Sequence, residues 1–188
     1  MNLAIKMLLT LSAIGIISGG LLSQIDSWAA PKIEMHRKAA MEEAIFNVQP
    51  EAENYEQIES AEFPLFEVFD SEHNSLGYAV LYEGNGFQGN IRLMFGVEKN
   101  LNTLKGLEIL EQVETPGLGT KVAEPDFKDQ FNGLRCETQV DWVKGASPSK
   151  PNEIQAVTGA TISSKSVVQI INNGLQALRN IETPGGEL

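Results

Sequence analysis

Two short stretches hold the residue types and spacings best suited to chemistry. The first is Thr158-Gly159-Ala160-Thr161-Ile162-Ser163-Ser164, which crowds four hydroxyls into seven residues directly before a helical pattern. Small residues let a ligand approach the backbone closely. The start of the following helix presents unpaired N–H groups and the positive end of its dipole, so the two together make an anion site. The same residues also suit an ordinary helix start with Ser or Thr as the N-cap. The stretch lacks the G-x-x-x-x-G-K-[ST] pattern of a nucleoside-triphosphate loop. The second stretch is Glu114-Thr115-Pro116-Gly117-Leu118-Gly119-Thr120, directly after a strand pattern. Pro116-Gly117 is a tight-turn pair and Gly119 a second permissive position. Such a loop can lay backbone groups flat against a planar ligand, and it also serves as a plain turn.

The elements that must position these stretches follow from the patterning. Ser163 to about Ile181 reads as a helix, because Val167, Ile171, Leu175 and Leu178 recur at helical spacing. Upstream, LFEVF, YAVLY, IRLMFGV and LKGLEIL read as strands, separated by SEHNSLG, the Gly-rich GNGFQG turn (residues 84–89) and Asn100–Thr103. Connections this short predict an antiparallel meander. Asp126–Phe131 suggests a short helix, TQVDWV a further strand and SPSKPNE a loop, and the tail ETPGGEL suggests a frayed end. The expected class is α+β, with helices packed on a twisted antiparallel sheet.

Composition narrows the function. The chain has 188 residues, enough for one globular domain with short additions, and 42% of them are hydrophobic. Fourteen Lys and Arg against 25 Asp and Glu give a net charge of −11. Such a surface repels phosphate backbones and disfavours nucleic-acid binding, and a bound phosphate would need local help. Cys136 is the one cysteine, which excludes an internal disulfide and a cysteine-based zinc site. His36 and His73 are isolated, and no cluster has metal-ligand spacing.

Residues Met7–Ile25 form a run of 19 without a charge, the length that spans a hydrocarbon core. Gly15 and Gly19 form a weak G-x-x-x-G pair. A cleaved signal peptide ending near Ser27-Trp28-Ala29 competes with a retained anchor. The thin positive segment before the run and its length favour the anchor. Lys6 lies on one side of the run, and Lys32, Arg37 and Lys38 on the other, so charge does not decide orientation. Lys32–Phe46 reads as a second helix with Pro31 at its first turn, and residues 47–63 as an acidic connector. The expected division is an anchor over 1–30, helix and connector over 31–62, and one domain over 63–188.

Together, ETPGLG and TGATISS resemble the FMN-binding domain of ion-translocating electron-transport complexes, especially the G subunit of the Rnf complex, with the C subunit of the sodium-translocating NADH:quinone reductase as a longer relative. The resemblance extends to the anchor followed by Ala30-Pro31-Lys32-Ile33 and to GFQGNIRLMFGV. It implies an N-terminal transmembrane helix followed by one FMN-binding domain. It also implies a covalent FMN, esterified through its phosphate to Thr161 by a separate flavin transferase that uses FAD. Thr158, Gly159, Ala160, Ser163 and Ser164 would surround the phosphate, and Glu114, Thr115, Gly117, Leu118, Gly119 and Thr120 would lie along the isoalloxazine ring. Two positions depart from the family pattern: Gln155 stands where an acid usually precedes the modified threonine by six residues, and Gln112 where a histidine is frequent.

The resemblance further implies an electron-carrying subunit of a membrane-bound, redox-driven, ion-translocating ferredoxin:NAD-type oxidoreductase, not catalytic alone. Its partners would be the other subunits of that complex and the membrane. It would be a single-pass protein of the cell (inner) membrane, with the flavin domain on the extracytoplasmic side. A stand-alone, membrane-tethered flavoprotein that donates electrons to a terminal reductase is the alternative. Glu114 is expected either to disfavour an anionic reduced ring or to hold a ring-contacting backbone, against the plainer reading of a solvated loop carboxylate.

Overall fold

The computed structural model describes residues 2–182; the expected fraying of the tail falls outside them from residue 183 onward. The chain divides into two compact units, Met1–Ala40 and Met41–Leu188.

In the first unit, helix α1 (Leu3–Val48, continuing into the second unit) is exposed along the apolar run. The expectation of two helices separated at Pro31 is not met: Pro31 lies inside one helix. A proline here removes one i→i−4 hydrogen bond and crowds the carbonyl four residues earlier, so a break was the natural expectation. Good helix formers on both sides carry the helix through. Lys32 Nζ lies 3.8 Å from the centre of the Trp28 ring.

The second unit is built on a five-stranded antiparallel sheet, in order β1 (Asn54–Gln57), β2 (Leu65–Phe69), β3 (Ser75–Asn85), β4 (Asn90–Glu98) and β5 (Leu104–Gln112). The meander is therefore as expected, with one strand more. β1 lies inside the stretch read as a connector, pairing Tyr55 with Val68 and Gln57 with Phe66. Its side chains, Asn-Tyr-Glu-Gln, are mostly exposed, so the burial alternation that identifies a strand is missing.

Alternation along the inner strands sends side chains to two cores, one on each face. Phe66, Val68, Ala79, Leu81 and Met94 meet Ala44, Ile45 and Val48 from the end of α1. Leu65, Val80, Leu93, Phe95 and Val97 meet Val167, Ile171, Leu175 and Leu178 of α3 (Thr161–Glu182). At the close of α1, the Gln49 amide donates to the carbonyls of Tyr78 and Val97, at 3.2 and 3.1 Å.

Between β5 and α3 the chain runs through a 3-10 turn (Gly119–Ala123), the short helix α2 (Pro125–Lys128) and a second 3-10 turn (Asp129–Phe131). It then makes two three-residue strands, β6 (Asp141–Val143) and β7 (Glu153–Gln155), which pair in parallel. The loop between them is folded onto the Glu153 carboxylate, which accepts from the Ser149 N–H, the Ser149 hydroxyl and the Lys150 N–H, and pairs with Lys150 Nζ at 2.7 Å.

Candidate functional site

The two stretches singled out in the sequence come together at one end of the domain. ETPGLG leaves the end of β5, and TGAT enters α3 with Thr161 as the first helical residue. Gly159 has φ +85°, in the left-handed region where a Cβ is strained. A Cβ there would also come within 3.2 Å of the Leu118 side chain, so the two motifs touch at this point.

The loop after β5 closes on itself. The Glu114 N–H donates to Gln112 Oε1 at 2.7 Å, and the Leu118 and Thr120 N–H groups donate to the Thr115 carbonyl at 3.2 and 3.3 Å. The Gly117 N–H donates to Thr120 Oγ1 at 3.0 Å. Gln112, one of the two departures, thus orients the first residue of the motif. The Thr120 hydroxyl is occupied in holding the turn.

Glu114 is not a solvated loop carboxylate, since it is 3% exposed. Its Oε1 accepts from the Phe87 and Gln88 N–H groups at 2.7 and 3.2 Å, and its Oε2 accepts from Ser163 Oγ at 2.7 Å. One buried carboxylate therefore ties three segments together: the β3–β4 turn, the ETPGLG loop and the first turn of α3. Gly86 and Gly119 leave the room for it. A Cβ at Gly86 would collide with Glu114 Oε1, and one at Gly119 would lie 2.7 Å from Glu114 Cβ. The role of GNGFQG in receiving this carboxylate is not visible in the sequence, where it reads only as a Gly-rich turn.

The hydroxyls at the start of α3 differ sharply in environment. Ser163 donates to Glu114. Ser164 accepts from the Val157 N–H at 3.0 Å and donates to the Ala160 carbonyl at 3.0 Å, and it is fully buried. Among the described residues, the Thr161 hydroxyl has no hydrogen-bond partner, and the residue is half-buried beside an exposed Thr158 and Gly159. An unengaged hydroxyl at the first position of a 22-residue helix, next to unpaired N–H groups, fits a phosphate ester at Thr161. On the segments that meet here, Phe87, Val113, Leu118 and Ile162 are 59%, 63%, 48% and 56% exposed, apolar side chains of the kind a planar ring can cover.

Gln155 lies in β7, exposed, its N–H bonded to Gln130 Oε1 at 2.7 Å and its carbonyl to Gln130 Nε2 at 3.3 Å. The nearest acid, Glu153, is committed to the Lys150 loop. A cavity of about 860 Å³ is lined by Phe63, Leu81, Tyr82, Arg92 and Ile181 among others and contains no residue of either motif. Cys136 is buried, and burial pushes its thiol up to about 11, so it stays protonated and unreactive at neutral pH. No cluster of metal-ligating side chains occurs among the described residues.

The second unit thus carries, on a five-stranded antiparallel sheet, a glycine-bearing loop that meets the N-terminal approach to α3 where Leu118 lies beside Gly159. Residues 86–176, just under half of the chain, match the model of the FMN-binding domain family. Over 90% of its length it is 27% identical to the G subunit of an ion-translocating oxidoreductase complex from Methanosarcina acetivorans, covering 92% of that protein. It is 35% identical to the G subunit of a Na(+)-translocating ferredoxin:NAD(+) oxidoreductase complex from Acetobacterium woodii, over 62% of this chain and 57% of that one. The crystal structure of the C subunit of Na(+)-translocating NADH-quinone reductase from Parabacteroides distasonis superposes with a TM-score of 0.57 at 27% identity, covering 66% of this chain and 64% of that one.

Proposed function

We propose that this chain is the electron-carrying subunit of a membrane-bound, redox-driven, ion-translocating oxidoreductase of the Rnf type, with FMN joined through its phosphate to Thr161. The observation that carries the reading is the free Thr161 hydroxyl at the first position of α3, in a segment where both serines are engaged. When bound, FMN supplies electron transfer in steps of one or two. The chain's own part is to hold it. Thr161 Oγ1 forms a P–O bond to the FMN-side phosphorus of FAD while the bond to AMP breaks. AMP departs, and the hydroxyl proton passes to solvent. The N–H groups of the first turn of α3 offset the phosphate charge, which a domain in a chain of net charge −11 would otherwise repel. Leu118, packed against Gly159, keeps the ETPGLG backbone beside the attachment point.

A flavin transferase is the maturation partner in this reading, and the domain lies on the extracytoplasmic side of the cell membrane, where covalent attachment removes dependence on free FMN. Mass spectrometry of the membrane-expressed chain tests the ester. A gain of FMN less one water is expected on the peptide containing Thr161 and is lost in Thr161→Ala. An unmodified peptide from cells that contain the transferase overturns the reading. Co-purification with multi-spanning redox subunits tests membership of a complex.

A further inference from the structure

Four hydroxyls lie within seven residues, yet only Thr161 carries the proposed ester. The geometry around Glu114 accounts for the choice. Its three hydrogen bonds hold Ser163 Oγ inward, at 3% exposure. With 3.6 residues per turn, positions two apart on a helix point about 200° away from each other. Fixing Ser163 toward the interior therefore turns Thr161 outward. Ser164 is withdrawn by its own pair of bonds to Val157 and Ala160. Thr158 is exposed but precedes the helix, away from the N–H groups at its start.

We propose that Glu114 is the positioning residue that selects Thr161 as the flavinylated hydroxyl, by sequestering Ser163 and fixing the rotation of the first turn of α3. This rests on the Thr161 ester proposed above. Glu114 touches neither the phosphate nor the ring in this assignment; it acts through Ser163 and through the turn that carries Phe87. Without its carboxylate, the Phe87 and Gln88 N–H groups and the buried Ser163 hydroxyl lose their acceptor. The first turn is then free to rotate, and Ser163 becomes a competing nucleophile for the same FAD phosphorus, with AMP again the leaving group.

The test uses the full chain co-expressed with the flavin transferase, as wild type, Glu114→Ala, Glu114→Gln and Ser163→Ala. Intact mass gives occupancy, fragment ions locate the ester, and the unfolding temperature is measured on the same samples. The expected result is an ester on Thr161 alone in the wild type. In Glu114→Ala, occupancy at Thr161 falls about fivefold or more, with ester also on Ser163. Glu114→Gln, which keeps an oxygen for the two N–H groups and offers its amide to Ser163 Oγ, restores most of the wild-type pattern. A purely structural role would not move the ester from one hydroxyl to another. Full occupancy at Thr161 alone in a folded Glu114→Ala overturns the inference while leaving the Thr161 reading intact. No ester on the wild type overturns both. If Glu114→Ala does not fold, Ser163→Ala decides: occupancy reduced about twofold or more at unchanged unfolding temperature supports the inference, and unchanged occupancy overturns it.

Discussion

Glu153 and Glu114 are both buried acids flanking the hydroxyl run, and they are satisfied in different ways. Glu114 has only neutral donors. At Glu153 the Lys150 ammonium is the largest influence, followed by the Ser149 N–H and hydroxyl, and together they hold its carboxyl down to about 2. A carboxylate whose pKa is depressed in the folded state stabilises it above the unfolded value of about 4.3, and that contribution is lost as pH falls toward the folded value. The domain should therefore lose stability between about pH 4.5 and 2 through this residue. Glu153→Gln should be less stable than wild type at pH 6, and the gap should narrow at pH 3; denaturation midpoints at the two pH values check this. At this scale the helix start after TGAT and the turn at Pro116-Gly117 were legible in the sequence, because both are local features, whereas Thr161 itself is singled out by the family resemblance. The engagement of Ser163 was not, since its partner lies 49 positions away in the chain.

Helix α3 links Thr161, its first residue, to the core. Ile171 is fully buried on the face packed against β3 and β4, whereas Gln169, two residues earlier, is exposed. Ile171→Ala should destabilise the domain by about 2–5 kcal/mol through lost burial and a residual cavity. Gln169→Ala should stay within about 0.5 kcal/mol of wild type. Urea unfolding of the two variants in detergent distinguishes them, and equal midpoints would contradict the packing described. The stripe Val167–Leu178 made this helix legible because its 3.6-residue period is long and regular. Strands β6 and β7 were legible only in part. TQVDWV marked one of them, but three-residue strands carry no periodicity, and their parallel pairing depends on the loop that Glu153 folds. Strand β1 escaped for the related reason that its side chains are mostly exposed.

For the whole chain, the proposed function requires that a strongly acidic domain be held at a membrane. Helix α1 has 46 residues, which at 1.5 Å each is about 69 Å, more than twice the hydrocarbon thickness of about 30 Å. Only its uncharged stretch, Met7–Ile25, suits the bilayer interior, and its large side chains are exposed, Ile14 and Ile17 at 57% and 62%. An arginine near the middle of a spanning helix costs about 2.5–3.5 kcal/mol for insertion. The double variant Ile14→Arg, Ile17→Arg should therefore shift the chain from the carbonate-resistant membrane fraction to the soluble fraction. It should also lose any multi-spanning partners that co-purify with wild type. Met35→Arg is the control: Met35 is equally exposed, at 62%, but lies on the charged part of the same helix, and its membrane fraction should not change. A double variant that remains carbonate-resistant would refute the anchor over residues 1–30, while the folded flavin domain, with its own two cores, would be expected to survive in either case.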